Sequence, residues 1–392
     1  MQTQSFKEQL HNPYEWYRTM RATQPVAQDQ QWANAWHVFR YADVARVLSE
    51  YATFSSDGHR MAQFEGEADP ILSSILRMDP PRHRQLRGLV SQAFTPRMVA
   101  QLEPRITAIT HELLDRVAAP SGSMDMVRDL AYPLPVTVIA ELLGIPPELR
   151  DDFKRWSDAL VAGEENMTEE ERNRLFEEIR GMYGYFSQVL EERRLHPQDD
   201  LVSALLAAEV DGERLSDAEL LGFCALLLVA GNETTTNLLG NMVLCFDENP
   251  GVVERLRADR ALIPSAIEEA LRYYSPVKAM TRITTTETVI GDQRIGPDQF
   301  VIAWIGSANR DESEFAHADR FDIERDPNRH LGFGRGIHFC LGAPLARLEA
   351  KIALNAMLDR LPGRWQVVDE PLEIIKSFIV FGVKKLPMTW GM

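Results

Sequence analysis

Apolar positions along this chain recur mainly at intervals of three and four, the spacing of helices with one buried face. The middle of the chain carries the strongest pattern. Thr168 and Glu171 form a capping box, and the amphipathic run behind it extends to about Arg194. Ser216 and Glu219 form a second box, opening a stretch compatible with helix to about Asn249. That is about 33 residues, or about 50 Å at 1.5 Å per residue. A helix this long and apolar has to run through the interior of a large domain. Ser265 and Glu268 predict a third helix start, with an end before Pro276. Shorter elements precede these. Trp36–Phe39 reads as a strand and Ala42–Leu48 as a helix; Arg82–Phe94 is helical after the Pro80-Pro81 break. Thr95 is an N-cap with Pro96 in the first turn. From Thr281 to Val301, β-branched residues with Gly291, Gly296 and Pro297 predict short strands and turns. A helix resumes after Cys340, with Pro344 near its start and Leu341, Leu345, Leu348 and Ile352 on one face. Residues 365–392 predict short strands. The fold class is mainly α with a small β portion.

Composition narrows the reading. Of 392 residues, 45% are hydrophobic and 26% charged, which supports a large core. Neither an internal repeat nor a Pro- or Gly/Ser-rich linker interrupts it, so residues 1–392 are expected to form a single domain. The 42 basic against 58 acidic residues give a net charge of −16, which disfavours non-specific nucleic-acid binding. Leu220–Ala230 is the longest apolar stretch, well short of the roughly 20 residues of a membrane span. The N-terminus lacks the apolar core of a signal peptide. Cys224, Cys245 and Cys340 are too few for a disulfide framework, so a reducing, cytoplasmic setting is expected.

The densest chemistry lies at Gly332-Phe333-Gly334-Arg335-Gly336-Ile337-His338-Phe339-Cys340-Leu341-Gly342. Four glycines around one cysteine make neither helix nor strand, and they permit close backbone approach. The loop runs into a helix, whose positive end favours a thiolate at Cys340. A flat, bulky partner lying on the loop accounts for the missing side chains, and a haem iron held by thiolate fits. Cys224 and Cys245 read as inert core thiols. A phosphate loop lacks its following Lys-Ser or Lys-Thr, the glycine spacing is not that of a dinucleotide turn, and zinc would need neighbouring ligands. A nucleophilic cysteine assisted by His338 lacks an orienting third group.

The run from Phe333 to Gly342 resembles the haem-binding signature of the cytochrome P450 superfamily, and the likeness extends from about Asn12 to Leu386. Segments such as Leu227–Leu238 and Ser307–Asp311 are similar to the soluble bacterial members. The resemblance implies a cytochrome P450-like fold with a long central helix over a buried haem b. Cys340 would be the axial ligand, and thus the metal-binding residue. Phe333 would pack beside its sulfur, with Gly342 closing the loop. Ala230-Gly231-Asn232-Glu233-Thr234 resembles the family's oxygen-activating run, in which Thr234 donates a hydrogen bond and Glu233 relays protons. Gly231 suggests a local opening of the helix, as at a π-type bulge. The plain alternative is a helix N-cap at Asn232-Glu233-Thr234, which would split the helix. Glu269 and Arg272, three apart, resemble the family's buried structural pair, with Arg325 as third member and Arg320 as rival. His83, Arg87, Arg282 and His338 match propionate partners. Arg82 and Arg84 read as solvated cations or as docking points for an acidic electron donor.

The implied activity is that of a monooxygenase hydroxylating a hydrophobic small molecule: a fatty acid, terpenoid, steroid or macrolide. It would use O2 and electrons from a ferredoxin or flavodoxin with its reductase. A monomer is expected, with no membrane or nucleic-acid partner. Met61, Phe64, Leu160, Leu228, Val277, Met280 and Ile379 suggest an apolar pocket. Residues 150–185 suggest a lid. A peroxide-driven peroxygenase and a non-catalytic haem sensor or carrier are the alternatives.

Overall fold

The computed structural model describes residues 13–29, 34–58, 60, 74–117, 122–161, 168–210 and 212–391. Met61 and Phe64 lie outside the described residues. In chain order the helices are α1 (Pro13–Thr23), α2 (Tyr41–Ser49), α3 (Arg82–Ala93), α4 (Pro96–Gln101), α5 (Glu103–Val117), α6 (Pro133–Leu142) and α7 (Arg150–Val161). They continue with α8 (Glu169–Leu195), α9 (Leu201–Ala207), α10 (Asp217–Glu248), α11 (Val252–Ala258), α12 (Ile263–Tyr273), α13 (Ile305–Ala308) and α14 (Ala343–Arg360). The strands are β1 (Val26–Asp29), β2 (Ala35–Val38), β3 (Phe54–Ser55), β4 (Ser123–Asp125), β5 (Met280–Thr284), β6 (Thr288–Ile290), β7 (Gln293–Ile295), β8 (Phe300–Ala303), β9 (Trp365–Val367) and β10 (Pro387–Trp390). None of the described helices is long and apolar enough to cross a membrane.

The chain divides into two compact units. The first comprises residues 1–56, 107–131 and 234–392; the second, 57–106 and 132–233. The first unit holds the sheets. A five-stranded sheet has the order β1-β2-β8-β5-β3, with β2 and β8 parallel and the other pairs antiparallel. Its central strand β8 is the most protected: Val301, Ile302 and Ala303 are fully buried. One face packs on Val44, Val47 and Leu48 of α2, while the other carries an aromatic cluster of Trp16, Tyr17, Phe39 and Trp304. A second sheet, β4-β10-β9, gathers the chain's last strands. The second unit is helical, and Leu86 and Leu89 of α3 share a small core with Ile75 and Ala208.

The caps behave as read, with one exception. Thr168 and Glu171 make the reciprocal box. Ser216 and Glu219 do the same ahead of α10, and Thr95 accepts from the Met98 amide. The exception is Ser265. The helix starts at Ile263 instead, because Pro264 sits comfortably in a first turn. Ser265 then donates back to the Leu262 carbonyl. Glu268 is drawn away from the backbone by Arg347 and His330.

Candidate functional site

The cysteine loop belongs to the first unit. Gly334 and Gly336 hold φ of +71° and +73°, a region that penalises any side chain. At Gly336 a Cβ would also lie 2.8 Å from Ser49 Cα, so the loop can approach α2 only as glycine. The Cys340 amide donates to the Phe333 carbonyl at 2.9 Å, closing the loop on itself. Cys340 is a half-buried thiol lying just ahead of α14, whose N-terminal field favours negative charge. Burial pushes the Cys224 thiol up to about 12 and the Cys245 thiol well above its ordinary value. Those two are inert core residues, as read.

A brace behind the loop was not legible in the sequence. Arg347, two helical turns beyond Cys340, stands 4.5 Å over the Phe333 ring. Its guanidinium donates two 2.7 Å hydrogen bonds to Glu268 on α12. His330 reaches the same carboxylate at 3.0 Å, and its Nδ1 accepts from the Gly332 amide. Burial raises the Glu268 carboxyl, but the hydrogen bonds from Arg347 and His330 outweigh it and hold the group at about 2. The loop is thus fixed at Gly332, Phe333 and Cys340 before any ligand is considered. Arg282, 4% exposed on β5, donates to the Thr281 carbonyl, and His338 is half-buried within the loop.

Glu269 and Arg272 form a fully buried bidentate pair, with both bonds at 2.8 Å. Arg325 joins through Nε at 3.1 Å, which settles the third member. Arg320 contributes only its backbone carbonyl, and its side chain is exposed. Asn328 and the Asp322 amide complete the shell around Glu269. Arg272 uses its remaining donors on the carbonyls of Asn309, Ala318 and Arg320. The pair pins α12 to the segment that leads into the cysteine loop.

Helix α10 is continuous through Ala230-Gly231-Asn232-Glu233-Thr234, so it is neither split by a cap nor opened as a π bulge. The π geometry falls at Val127–Ala131 instead. Gly231 has a packing cause: a Cβ there would lie 2.9 Å from Ile139 Cδ1 of α6. Ala230 is exposed, and Glu233 and Thr234 are half-buried. Asn232 is buried and donates to Ser157 at 3.1 Å. Thr236 donates to the Ala131 carbonyl.

In the second unit, His83 is 3% exposed on α3 with Arg87 one turn on. Burial lowers the His83 imidazole below its ordinary value and the Arg87 charge lowers it further, while Asp79 acts in the opposite direction. Arg82 is no free solvated cation. It makes a bidentate pair with Glu219 at 2.7 and 2.6 Å, tying α3 to the start of α10. Arg84 is exposed.

The family model for cytochrome P450 matches residues 29–390. The chain belongs to the cytochrome P450 family. Among curated relatives, the putative cytochrome P450 YjiB of Bacillus subtilis is 44% identical over 385 residues, covering 96% of this chain and 94% of that one. The erythromycin C-12 hydroxylase of Saccharopolyspora erythraea is 45% identical over 383 residues, covering 96% and 94%. The crystal structure of CYP109E1 from Bacillus megaterium in complex with testosterone superposes with a TM-score of 0.88 at 42% identity, covering 97% and 100%. This P450 is therefore a haem-dependent monooxygenase with the P450 fold.

The residues present fit haem. An added Cβ at Gly342 would meet only Cys340 Sγ, at 3.9 Å, so the loop leaves room beside the sulfur. Two further polar residues were missed in the sequence. Thr235 hydrogen-bonds the buried Glu349 of α14, which sits in the apolar stripe between Leu345 and Ile352. A charge at a stripe position was the available signal.

Proposed function

We propose that this P450 inserts one oxygen atom from O2 into a C–H bond of a hydrophobic small molecule, and that Cys340 is the residue whose sulfur would hold the iron of haem b. The observation that carries the reading is the braced glycine loop that presents a half-buried Cys340 ahead of α14. When bound, the haem supplies oxygen activation, and a thiolate ligand favours O–O cleavage. The chain's own residues do the rest. Phe333, held by Arg347, shields the sulfur. His83, Arg87, Arg282 and His338 would bind the propionates, and Ala230, Gly231 and Gly342 would offer small surfaces to the porphyrin. Thr234 holds a proton at its hydroxyl, and the Glu233 carboxylate moves protons toward it. Residues 1–392 act as one catalytic domain.

Relatives narrow the substrate. The erythromycin C-12 hydroxylase and the mycinamicin IV hydroxylase/epoxidase of Micromonospora griseorubida are named for macrolides, and CYP109E1 was crystallised with testosterone and corticosterone. Steroids and macrolides lead, ahead of fatty acids and terpenoids. The half-buried Val277, Met280 and Ile379 would orient the guest, the bridge between Val277 and Val380 holding those segments together. Leu228 is fully buried core and Leu160 half-buried. Electrons would come from a separate ferredoxin or flavodoxin and its reductase.

Glu233 and Thr234, both kept on an unbroken helix, favour this reading over a peroxygenase or a haem carrier. The test is turnover with NADH and surrogate ferredoxin partners against turnover with hydrogen peroxide alone. Thr234→Ala is expected to divert electrons from product to peroxide. Unchanged coupling would remove Thr234 from the relay. A reduced, carbon-monoxide-treated protein without a thiolate-type Soret band would overturn the haem assignment.

A further inference from the structure

The brace behind the cysteine loop carries charge as well as shape. Arg347 stands 4.5 Å over the Phe333 ring, a cation against an aromatic face. Phe333 in turn accepts from the Cys340 amide at 2.9 Å, so the cation is one ring away from the residue bonded to Cys340. The same guanidinium donates two 2.7 Å hydrogen bonds to the Glu268 carboxylate. His330 completes the count. Its Nδ1 accepts from the Gly332 amide at 3.1 Å, so the ring proton is on Nε2 and is donated to Glu268 at 3.0 Å. A ring that accepts at Nδ1 carries no positive charge. The three side chains therefore hold one positive and one negative charge, with the positive one on the helix that begins just after Cys340.

A cation near a thiolate-held metal stabilises its more negative, reduced state, and an anion opposes it. We propose that Arg347 and Glu268 are an opposed pair of positioning residues that set the electron affinity of the Cys340 site, the guanidinium raising it and the carboxylate limiting the rise. The hydrogen bond to Glu268 raises the Arg347 guanidinium above its ordinary value, and the charge of Cys340 acts on it in the same direction. Both residues are half-buried, so solvent screens the pair only in part. The pair deepens the haem-site reading and rests on it. Neither residue touches a reacting atom.

The test is the midpoint reduction potential of the haem-loaded protein, read by spectroelectrochemical titration at neutral pH without a guest. Glu268→Gln keeps an acceptor for Arg347 but loses the anion, and its potential is expected above that of the wild type. Arg347→Gln keeps a donor but loses the cation, and its potential is expected below. The double variant should lie between the two. Arg347→Lys, which restores the charge, should lie closer to the wild type than Arg347→Gln does. Both single shifts should shrink as ionic strength rises. A purely mechanical brace predicts something else: loosening Phe333 from either side would move the potential in the same direction. Shifts of one sign, no shifts, or a double variant outside the range of the singles each overturn the proposal. Should Arg347→Gln fail to take up haem, Glu268→Gln decides alone, and a potential at or below the wild-type value overturns it. The reduced, carbon-monoxide-treated wild type tells the two levels apart. Without a thiolate-type Soret band, the haem reading and this inference fall together; a normal band with shifts of one sign removes this inference alone.

Discussion

Glu269 shows how much one buried side chain can organise. Its two oxygens receive Arg272, Arg325, Asn328 and the Asp322 amide, all between 2.8 and 3.2 Å. Two guanidiniums neutralise one carboxylate, and Arg272 spends its surplus donors on backbone carbonyls. Such a cluster is held together by completeness rather than by Coulomb attraction alone, because desolvation offsets much of that attraction. Removing the central carboxylate leaves two cations facing each other in the interior. Glu269→Ala is therefore expected to cost about 3–5 kcal/mol in urea unfolding. Glu269→Gln, which still accepts hydrogen bonds but carries no charge, should fall between it and the wild type. Equal losses for the two would mean that the charge contributes nothing. The sequence offered this pair only as an ordinary three-residue spacing; its burial and its third member came from contacts more than 50 positions away.

At the scale of elements, α10 illustrates where a glycine's cause is easily misread. Its sequence around Gly231 suggested a local opening, yet the helix is regular and Gly231 answers to α6. Replacement by alanine would raise helix propensity by about 1 kcal/mol. Against that stands the contact of the new Cβ with Ile139, at 2.9 Å to Cδ1 and 3.0 Å to Cγ1. Ile139 is 2% exposed and has little space to retreat. Overpacking of about 1–3 kcal/mol should win, so Gly231→Ala is expected to be less stable than the wild type. In an Ile139→Ala background, which lacks both Cδ1 and Cγ1, the same substitution should become neutral or stabilising. A penalty that survives in that background would point to backbone geometry instead. Elements set by local chemistry, such as the boxes at Thr168 and Ser216 and the cap at Thr95, were legible. Those set at a distance were not. Ser265 looked like a cap because Glu268 followed at the right spacing, but Arg347, 79 residues on, claims that carboxylate. Glu349 was hidden for the opposite reason: a charge in an apolar stripe reads as a break until its partner on another helix is seen.

At the scale of the molecule, two glutamates give stability opposite dependences on pH. Glu268 is held at about 2, against an ordinary 4.5. Its contribution is complete above 4.5 and is lost as pH falls toward 2, because the unfolded chain takes up the proton first. Glu349 is pushed up to about 8 from the same ordinary value. Between 4.5 and 8 the folded protein keeps a proton that the unfolded chain has released, so stability falls as pH rises through that window. Above 8 both states are ionised and the slope ends. The net charge of −16 adds self-repulsion at higher pH, but it does so almost equally in single variants and cancels when each is compared with the wild type. Thermal unfolding from about pH 3 to about pH 9 should separate the two effects. The deficit of Glu268→Gln relative to the wild type should be full above 4.5 and shrink on the acid side. Glu349→Gln should gain on the wild type steadily from 4.5 to 8 and then run parallel to it. A Glu349→Gln curve parallel to the wild type across that whole window would show that the carboxyl ionises as freely in the folded protein as in the unfolded chain. The acid bonded to Thr235 would then be a carboxylate.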